Sequence, residues 1–327
     1  MSKTLKLLHV EDDDGDAKFV ERALAREFSC DCILTRVRCM REAIEQLRES
    51  PFDAILLDLG LQDIRGISGV RAIRDESPDL PIVVLTGTDN NEMALSAVRN
   101  GAQEYLVKDH SNSRAMGLAV LSSIERKAYE RSLFRAANHD ELTGLPNRRM
   151  FLEYLKRCLI RASVWKRTEA ILFLDLNGFK RVNDTLGHDA GDLVLEQCAT
   201  RLKLSLRPSD MLARFGGDEF VVHLDASAHV TREVCVEVAK RISQLFEEPI
   251  LVDGKPIALG ISVGVAMYPD HGKDSAELIQ NADMAMYIAK RDGTSFAFAS
   301  EPPPRPLPQL ATGTDGQRRA TPVGFAM

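Results

Sequence analysis

The sequence predicts two domains in series, an α/β domain built on a doubly wound, flavodoxin-like parallel sheet and then a separate α+β domain. Three observations lead there. The chain has 327 residues, enough for about two domains of ordinary size. Over residues 5–106, short apolar runs alternate with helix-period stretches in a βαβ rhythm. The runs are near-continuous rather than alternating, as expected of parallel strands covered by helices on both faces.

In order, "LKLLHV", "AILLDL", "IVVLTG" and "EYLV" read as strands, and "DAKFVERALARE", "MREAIEQLRES" and "NEMALSAVRNG" as amphipathic helices. From Ser113 to Asn138 no Gly or Pro follows Gly117, and Met116, Val120, Ile124, Ala128 and Phe134 fall near helical spacing. This predicts a last helix that closes the first domain (1–124) and runs on as a linker (125–137). It reads equally as a solvated connector or a dimerising stalk. The second domain, 138–299, opens with "NHDELTGLPNRRMF" and mixes strands ("AILFLDL", "MLARF", "FVVHL", "IALGISVGVAMY") with helices such as "DLVLEQCATRLKLSL". The tail, 300–327, holds six of the fourteen prolines and little apolar periodicity, so disorder is expected there.

Composition narrows the class. At 44% hydrophobic and 28% charged residues the chain resembles ordinary soluble globular proteins. No apolar stretch reaches the roughly 20 residues that span a bilayer, and the N-terminus turns acidic too soon for a secretory signal, so a cytoplasmic location is expected. Cys30, Cys32, Cys39, Cys158, Cys198 and Cys235 form no CxxC pair, which predicts reduced, buried thiols. A net charge of −6 without a dense Lys/Arg run argues against a nucleic-acid surface. Nucleotides stay open.

In an open parallel sheet, ligands bind beyond the carboxyl ends of the strands. There the sequence places Glu11 and Asp12 after "LLHV", Asp58 after "AILL", Thr86 after "VVL" and Lys108 after "YLV". Each acid alone reads as well as a helix cap. Three carboxylates at one edge repel unless a hard divalent cation such as Mg²⁺ lies among them, and a hydroxyl and a lysine opposite suit a phosphoryl group. At these residues the chain resembles the receiver domain of bacterial response regulators. The resemblance implies that Asp58 accepts a phosphoryl group from a cognate histidine kinase and that Glu11, Asp12, Asp58 and Gly60 hold one Mg²⁺. It further implies that Thr86 and Lys108 bind the phosphoryl oxygens and that Tyr105 reports them. Gln62 and Arg65 depart from the family pattern in the following loop. "EDDDGD" is no calcium loop, because Gly15 at its sixth position puts Val10 where a carboxylate is needed.

In "RFGGDEFVVHL", Gly216 and Gly217 separate two strand-like runs, a tight-hairpin signal that leaves Asp218 and Glu219 at the tip. Asp175 interrupts the apolar "ILFLDL", where a lone carboxylate is costly without a partner; a metal shared with Glu219 removes the difficulty. With "DELTGLPNRR", "DLNGFKRVND" and "GHDAGD" in order before it, the chain resembles the GGDEF family of diguanylate cyclases. The resemblance implies a fold like polymerase palms and nucleotidyl cyclases, and condensation of two GTP to cyclic di-GMP with release of pyrophosphate. By position, Asp175, Leu176, Asp218 and Glu219 form the metal site for one or two Mg²⁺, with Asp218 able to help deprotonate the 3′-hydroxyl. The resemblance further implies that Asn183 and Asp192 read guanine and that Lys180, Lys290 and the backbone near Gly178 and Phe179 take the phosphates. Thr294 stands where the family often has Arg, with Arg291 nearby as a substitute. Arg207 and Asp210 of "RPSD" match an inhibitory product site, although an RxxD pattern also reads as a surface ion pair. A two-fold product made from one GTP per domain implies a homodimer or higher oligomer. A degenerate domain that binds GTP or cyclic di-GMP without turnover remains the alternative, whereas the His-Asp pairs at 139–140 and 188–189 lack the further ligands of a phosphohydrolase.

Overall fold

The computed structural model describes residues 4–27, 32–64, 66–87, 91–108, 113–225, 230–252 and 254–300. Arg65, Cys30 and the proline-rich tail beyond residue 300 lie outside them. Contacts divide the chain into two compact units, residues 1–137 and 138–327. No helix among the described residues is long and apolar enough to cross a membrane.

In the first unit, β1 (Leu5–Val10), β2 (Cys32–Val37), β3 (Ala54–Asp58), β4 (Ile82–Thr86) and β5 (Glu104–Val107) form one parallel sheet in the order β2-β1-β3-β4-β5. Between them run α1 (Asp14–Glu27), α2 (Met40–Glu49), α3 (Ile67–Glu76) and α4 (Asn91–Arg99), and α5 (Ser113–Asn138) follows β5. Strand residues alternate between the two faces. Val10, Leu57 and Val84 meet Met40 of α2, Val70 and Ile73 of α3 and Ala97 of α4. Leu7, Leu56 and Leu85 meet Val20 and Leu24 of α1 and Met116 and Val120 of α5. Both faces being covered explains the near-continuous apolar runs. The strand order reverses between β1 and β3, which opens a crevice at their carboxyl ends. The sequence reading missed β2, whose partly exposed edge position gives it no solid apolar run.

In the second unit, α6 (Arg148–Trp165), β6 (Glu169–Asn177), α7 (Phe179–Leu186) and α8 (His188–Ser205) precede the hairpin β7 (Met211–Gly216) and β8 (Glu219–Leu224). Then come α9 (Arg232–Leu245), β9 (Ile250–Val252), β10 (Lys255–Ile257), β11 (Gly260–Tyr268), α10 (Ser275–Asp292) and β12 (Phe296–Phe298). The main sheet has the order β12-β11-β6-β8-β7, and central β6 is antiparallel to both neighbours. Leu172, Leu174 and Leu176 of β6 face the core shared with α7, α8 and α9. Ile171 and Phe173 face the core shared with α6 and α10, and Asp175 follows them in phase. The three-residue strands β9, β10 and β12 were not foreseen, being too short to show a period.

The predicted hairpin is present, with Gly216 at φ 147° and Gly217 at φ 49°, conformations that side chains rarely adopt. Cys158, Cys198 and Cys235 are buried and free as expected, but Cys32 and Cys39 are only half-buried, a correction that follows from their places on an edge strand and a helix cap.

One glycine sets how closely α10 lies on the sheet. A Cβ at Gly264 of β11 would stand 1.9 Å from the Ala282 carbonyl oxygen and 2.1 Å from the Met286 nitrogen, so the α10 backbone rests directly on the strand. Gly264→Ala is expected to destabilise the second unit by about 2 kcal/mol or more, because main chain has to move. Chemical denaturation would show it as a lower midpoint for that unit.

Candidate functional site

Each unit gathers carboxylates at a strand end. In the first, β1 delivers Glu11 and Asp12 and β3 delivers Asp58 to the β1/β3 crevice, with one ligand oxygen from each lying within 4.8 Å of the others. Lys108, just past β5, reaches Glu11 at 2.5 Å, Asp16 at 2.7 Å and Asp58 at 3.0 Å. Burial works to lower the lysine's pKa, but hydrogen bonds and charge from these three carboxylates outweigh it and hold the ammonium form firmly. Burial raises the Glu11 pKa above the usual carboxylate range, against the pull of Lys108. The Gly60 amide donates to Asp58 Oδ2 at 3.1 Å, and a Cβ there would meet that oxygen at 2.9 Å, so a larger residue would push on the Asp58 carboxylate. Thr86 is buried at the end of β4, and Tyr105 packs half-buried on β5 against the core shared with α2, α3 and α4. Gln62 is exposed. An oxygen-only donor set of three converging acids fits a hard divalent cation.

Sequence reasoning missed two members of this region. Asp16 reads as an ordinary acid in the first turn of α1, yet it shares Lys108. His9 lies on β1 two residues before Glu11, fully buried with both ring nitrogens unpartnered among the described residues. Burial, aided by Lys108 and Arg36, pushes its pKa down to about 3, so the ring is neutral.

In the second unit, Asp175 on β6 pairs in register with Glu219 on β8, and the Leu176 amide donates to the Asp218 carbonyl at 3.3 Å. The hairpin thus sets Glu219 beside Asp175 on the face covered by α6 and α10, with Asp218 at the turn next to it. Lys290 of α10 bonds Asp175 Oδ1 at 2.5 Å. Burial first, then the Asp175 charge, raises the Asp218 pKa. Burial, Asp283, Asp175 and Asp218 together raise that of Glu219. Asp283, seven residues before Lys290 on α10, is raised by burial and Asp175 as well, so it belongs to the cluster. No motif had marked it; the two-turn spacing to Lys290 was the available signal. Among the described residues, the ligand oxygens of Asp175, Asp218 and Glu219 are not drawn as close as those of the first site. The half-buried, acid-rich donor set still fits a divalent cation, with Leu176 at its edge.

The surrounding residues divide. Asn183 on α7 packs its buried, unpartnered Oδ1 toward Gly191 at the start of α8, where a Cβ would fall 1.9 Å away. Asp192 beside it is exposed, as is Lys180. Gly178 turns at φ 88° into α7, whose first residue is Phe179. A cleft of about 270 Å³ opens beside Lys290, lined by Asn177, Ser262 and Thr294 among others. Arg291 pairs with its neighbour Asp292 at 2.8 Å, and the Thr294 amide closes the end of α10 on Ala289. Arg207 is exposed, while Asp210 accepts from the Arg207 amide at 3.0 Å and the Asp225 amide at 3.3 Å. A brace had also gone unseen. Arg214 reaches Asp140 at 2.9 Å and the Gly217 carbonyl at 2.8 Å, tying the hairpin tip to the "DELTG" loop.

The raised carboxyls make a prediction about pH. Asp218 and Glu219 hold protons more tightly in the fold than in the unfolded chain, so the second unit loses stability as pH rises through the carboxylate range. In metal-free buffer at neutral pH, Glu219→Gln is expected to raise the melting temperature. The gain should shrink toward the ordinary glutamate value of 4.5. Added Mg²⁺ should stabilise the parent protein more than the variant.

The family model described as the response regulator receiver domain matches residues 7–120, and that of the diguanylate cyclase GGDEF domain matches residues 137–295. The chain is 45% identical over 161 residues to the diguanylate cyclase TpbB of Pseudomonas aeruginosa, covering 49% of this chain and 37% of that protein. It is 29% identical over 261 residues to the response regulator PleD of Caulobacter vibrioides, covering 74% of this chain and 55% of that protein. A crystal structure of the coiled coil and GGDEF domain of DgcB from Caulobacter crescentus, in complex with c-di-GMP, superposes with a TM-score of 0.51. Identity there is 26%, over 57% of this chain and 100% of the other. The chain thus spans little more than a third to about half the length of these curated relatives. It belongs to the response regulators in which a receiver domain is followed by a GGDEF domain.

Proposed function

We propose that the protein is a diguanylate cyclase whose output is set by phosphorylation of Asp58. The observation that carries the catalytic half is the register of Asp175 against Glu219 at the tip of the glycine hairpin, with Asp218 alongside. Two carboxylates with raised proton affinity, next to an Asp175 that a lysine already pairs, suit a metal-bound nucleoside triphosphate. When bound there, Mg²⁺ would neutralise phosphate charge and acidify the attacking hydroxyl. Asp218 receives the proton of a 3′-hydroxyl, which attacks the α-phosphorus of the second GTP and expels pyrophosphate; the second bond forms in the same way. Lys290, which bonds Asp175, takes phosphate charge of the triphosphate. Asn183, whose buried oxygen lacks a partner, and Asp192 take the guanine edge.

In the receiver domain, Asp58 attacks the phosphoryl group of the kinase's phosphohistidine, and Lys108 and Thr86 take the new oxygens. Exchange of Lys108 from carboxylates to phosphoryl oxygens is the local event that biases association of two copies. The exposed Arg207 grips guanine with its guanidinium, with Asp210 held by two amides. The alternative, nucleotide binding without turnover, draws on Thr294 and on the pairing of Arg291 with Asp292.

The test is chromatographic detection of cyclic di-GMP from GTP and Mg²⁺, with and without a small phosphoryl donor. Product that rises with the donor is expected, and Asp58→Asn should keep the basal rate while losing the response. Glu219→Gln should lower turnover roughly a hundredfold or more while the fold persists. Absence of product from the folded parent protein, freed of bound nucleotide, would favour the binding alternative. Arg207→Ala should weaken product inhibition by roughly tenfold, read from progress curves.

A further inference from the structure

The outer face of α6 carries a surface that the catalytic reading leaves unused. The helix buries Phe151, Leu155, Cys158, Leu159 and Ala162 in the core. Its other face is not simply polar. Ile160 and Val164, one turn apart, are 66% and 70% exposed, and Trp165 is 69% exposed. Trp165 is the chain's single tryptophan. Around these three stand Lys156, Arg157, Arg161, Lys166 and Arg167, and no acid occurs from residue 156 to 167. Helical spacing gathers cations that are scattered in the sequence, which is why no dense basic run was visible there.

A solvated helix face usually interleaves charges of both signs and links them at i, i+4. Here Glu153 is the single acid of α6, and among the described residues none of the five cations is ion-paired. Arg161 directs a donor to Cys158 Sγ at 3.2 Å, and Arg157 points to the Glu153 carbonyl at 3.4 Å. Lys166 and Arg167 also offset the carbonyl end of the helix, and Arg161 is held by Cys158 and the charge of Asp225, which leaves Lys156 and Arg157 unexplained. The chain as a whole is acidic at −6, so this face is a local inversion of charge.

We infer that the C-terminal half of α6 is a peripheral docking surface for an anionic lipid bilayer. Ile160, Val164 and Trp165 enter the boundary between headgroups and acyl chains, and the five cations bind lipid phosphates from its rim. Charge complementarity selects an anionic partner. The apolar ridge with an exposed indole selects a bilayer over an acidic protein, since tryptophan favours the headgroup level and long basic side chains extend to it from a shallowly seated helix. The inference is independent of whether the GGDEF domain turns over GTP.

Trp165 supplies its own reporter. The full-length protein is mixed with vesicles of phosphatidylcholine alone or of phosphatidylcholine with phosphatidylglycerol, and tryptophan emission and co-sedimentation are followed. With the anionic vesicles a blue shift, quenching by brominated acyl chains and loss of binding at high salt are expected. Combined K156E, R157E, K166E and R167E should lower partitioning by roughly a hundredfold or more, with circular dichroism unchanged. Absence of binding to anionic vesicles by the parent protein would overturn the proposal. So would equal binding to both vesicles, or binding to a soluble acidic polypeptide alone. Should the quadruple variant fail to fold, the lipid-composition and salt arms on the parent protein decide by themselves.

Discussion

Both sites rest on the same constraint: carboxylates from different strands forced together at a strand end, with a lysine set against them. Lys108 closes the first cluster and Lys290 meets the second. Without a cation, burial first and repulsion between neighbouring acids second raise the proton affinities of Glu11, Asp218 and Glu219. The lysine relieves that repulsion in part and leaves the cluster ready for a stronger cation or a phosphoryl group. The fold around each cluster serves to hold that tension.

The two units impose the constraint by different topologies. The parallel sheet brings Glu11, Asp12 and Asp58 together because strand order reverses between β1 and β3, so neighbouring carboxyl ends open onto a shared crevice. The mixed sheet uses an antiparallel hairpin whose glycines allow the sharp turn and whose register sets Glu219 opposite Asp175. Close packing supplies the lysine. The α10 backbone lies on Gly264 and carries Asp283 and Lys290 to the same edge as Asp175. Arg214, bridging Asp140 and the Gly217 carbonyl, fixes the hairpin tip. Its value lies in geometry more than in energy, since a partly exposed ion pair adds little by itself.

Much of this was legible in the chain. Solid apolar runs announced the buried parallel strands, and the acids, hydroxyl and lysine that end them announced the first site. The glycine pair between "MLARF" and "FVVHL" announced the hairpin, because only glycine takes those backbone angles freely. Edge strand β2 and the three-residue strands β9, β10 and β12 were not legible, since a short or half-exposed strand shows no clear period. Asp16 and Arg214 were not legible either, because each belongs to its site through a contact with a residue distant in sequence, and Asp283 was marked only by its spacing to Lys290.

The sequence by itself determined which chemical groups each strand and turn would present, since local periodicity and glycine placement decide those within a few residues. Tertiary structure alone decided which groups meet. Lys290 finds Asp175 across 115 positions, Lys108 finds Glu11 across 97, and Arg291 turns to Asp292 rather than into the cleft. Such choices depend on packing distances between elements and on competition among charges, and neither is written in any single stretch of chain.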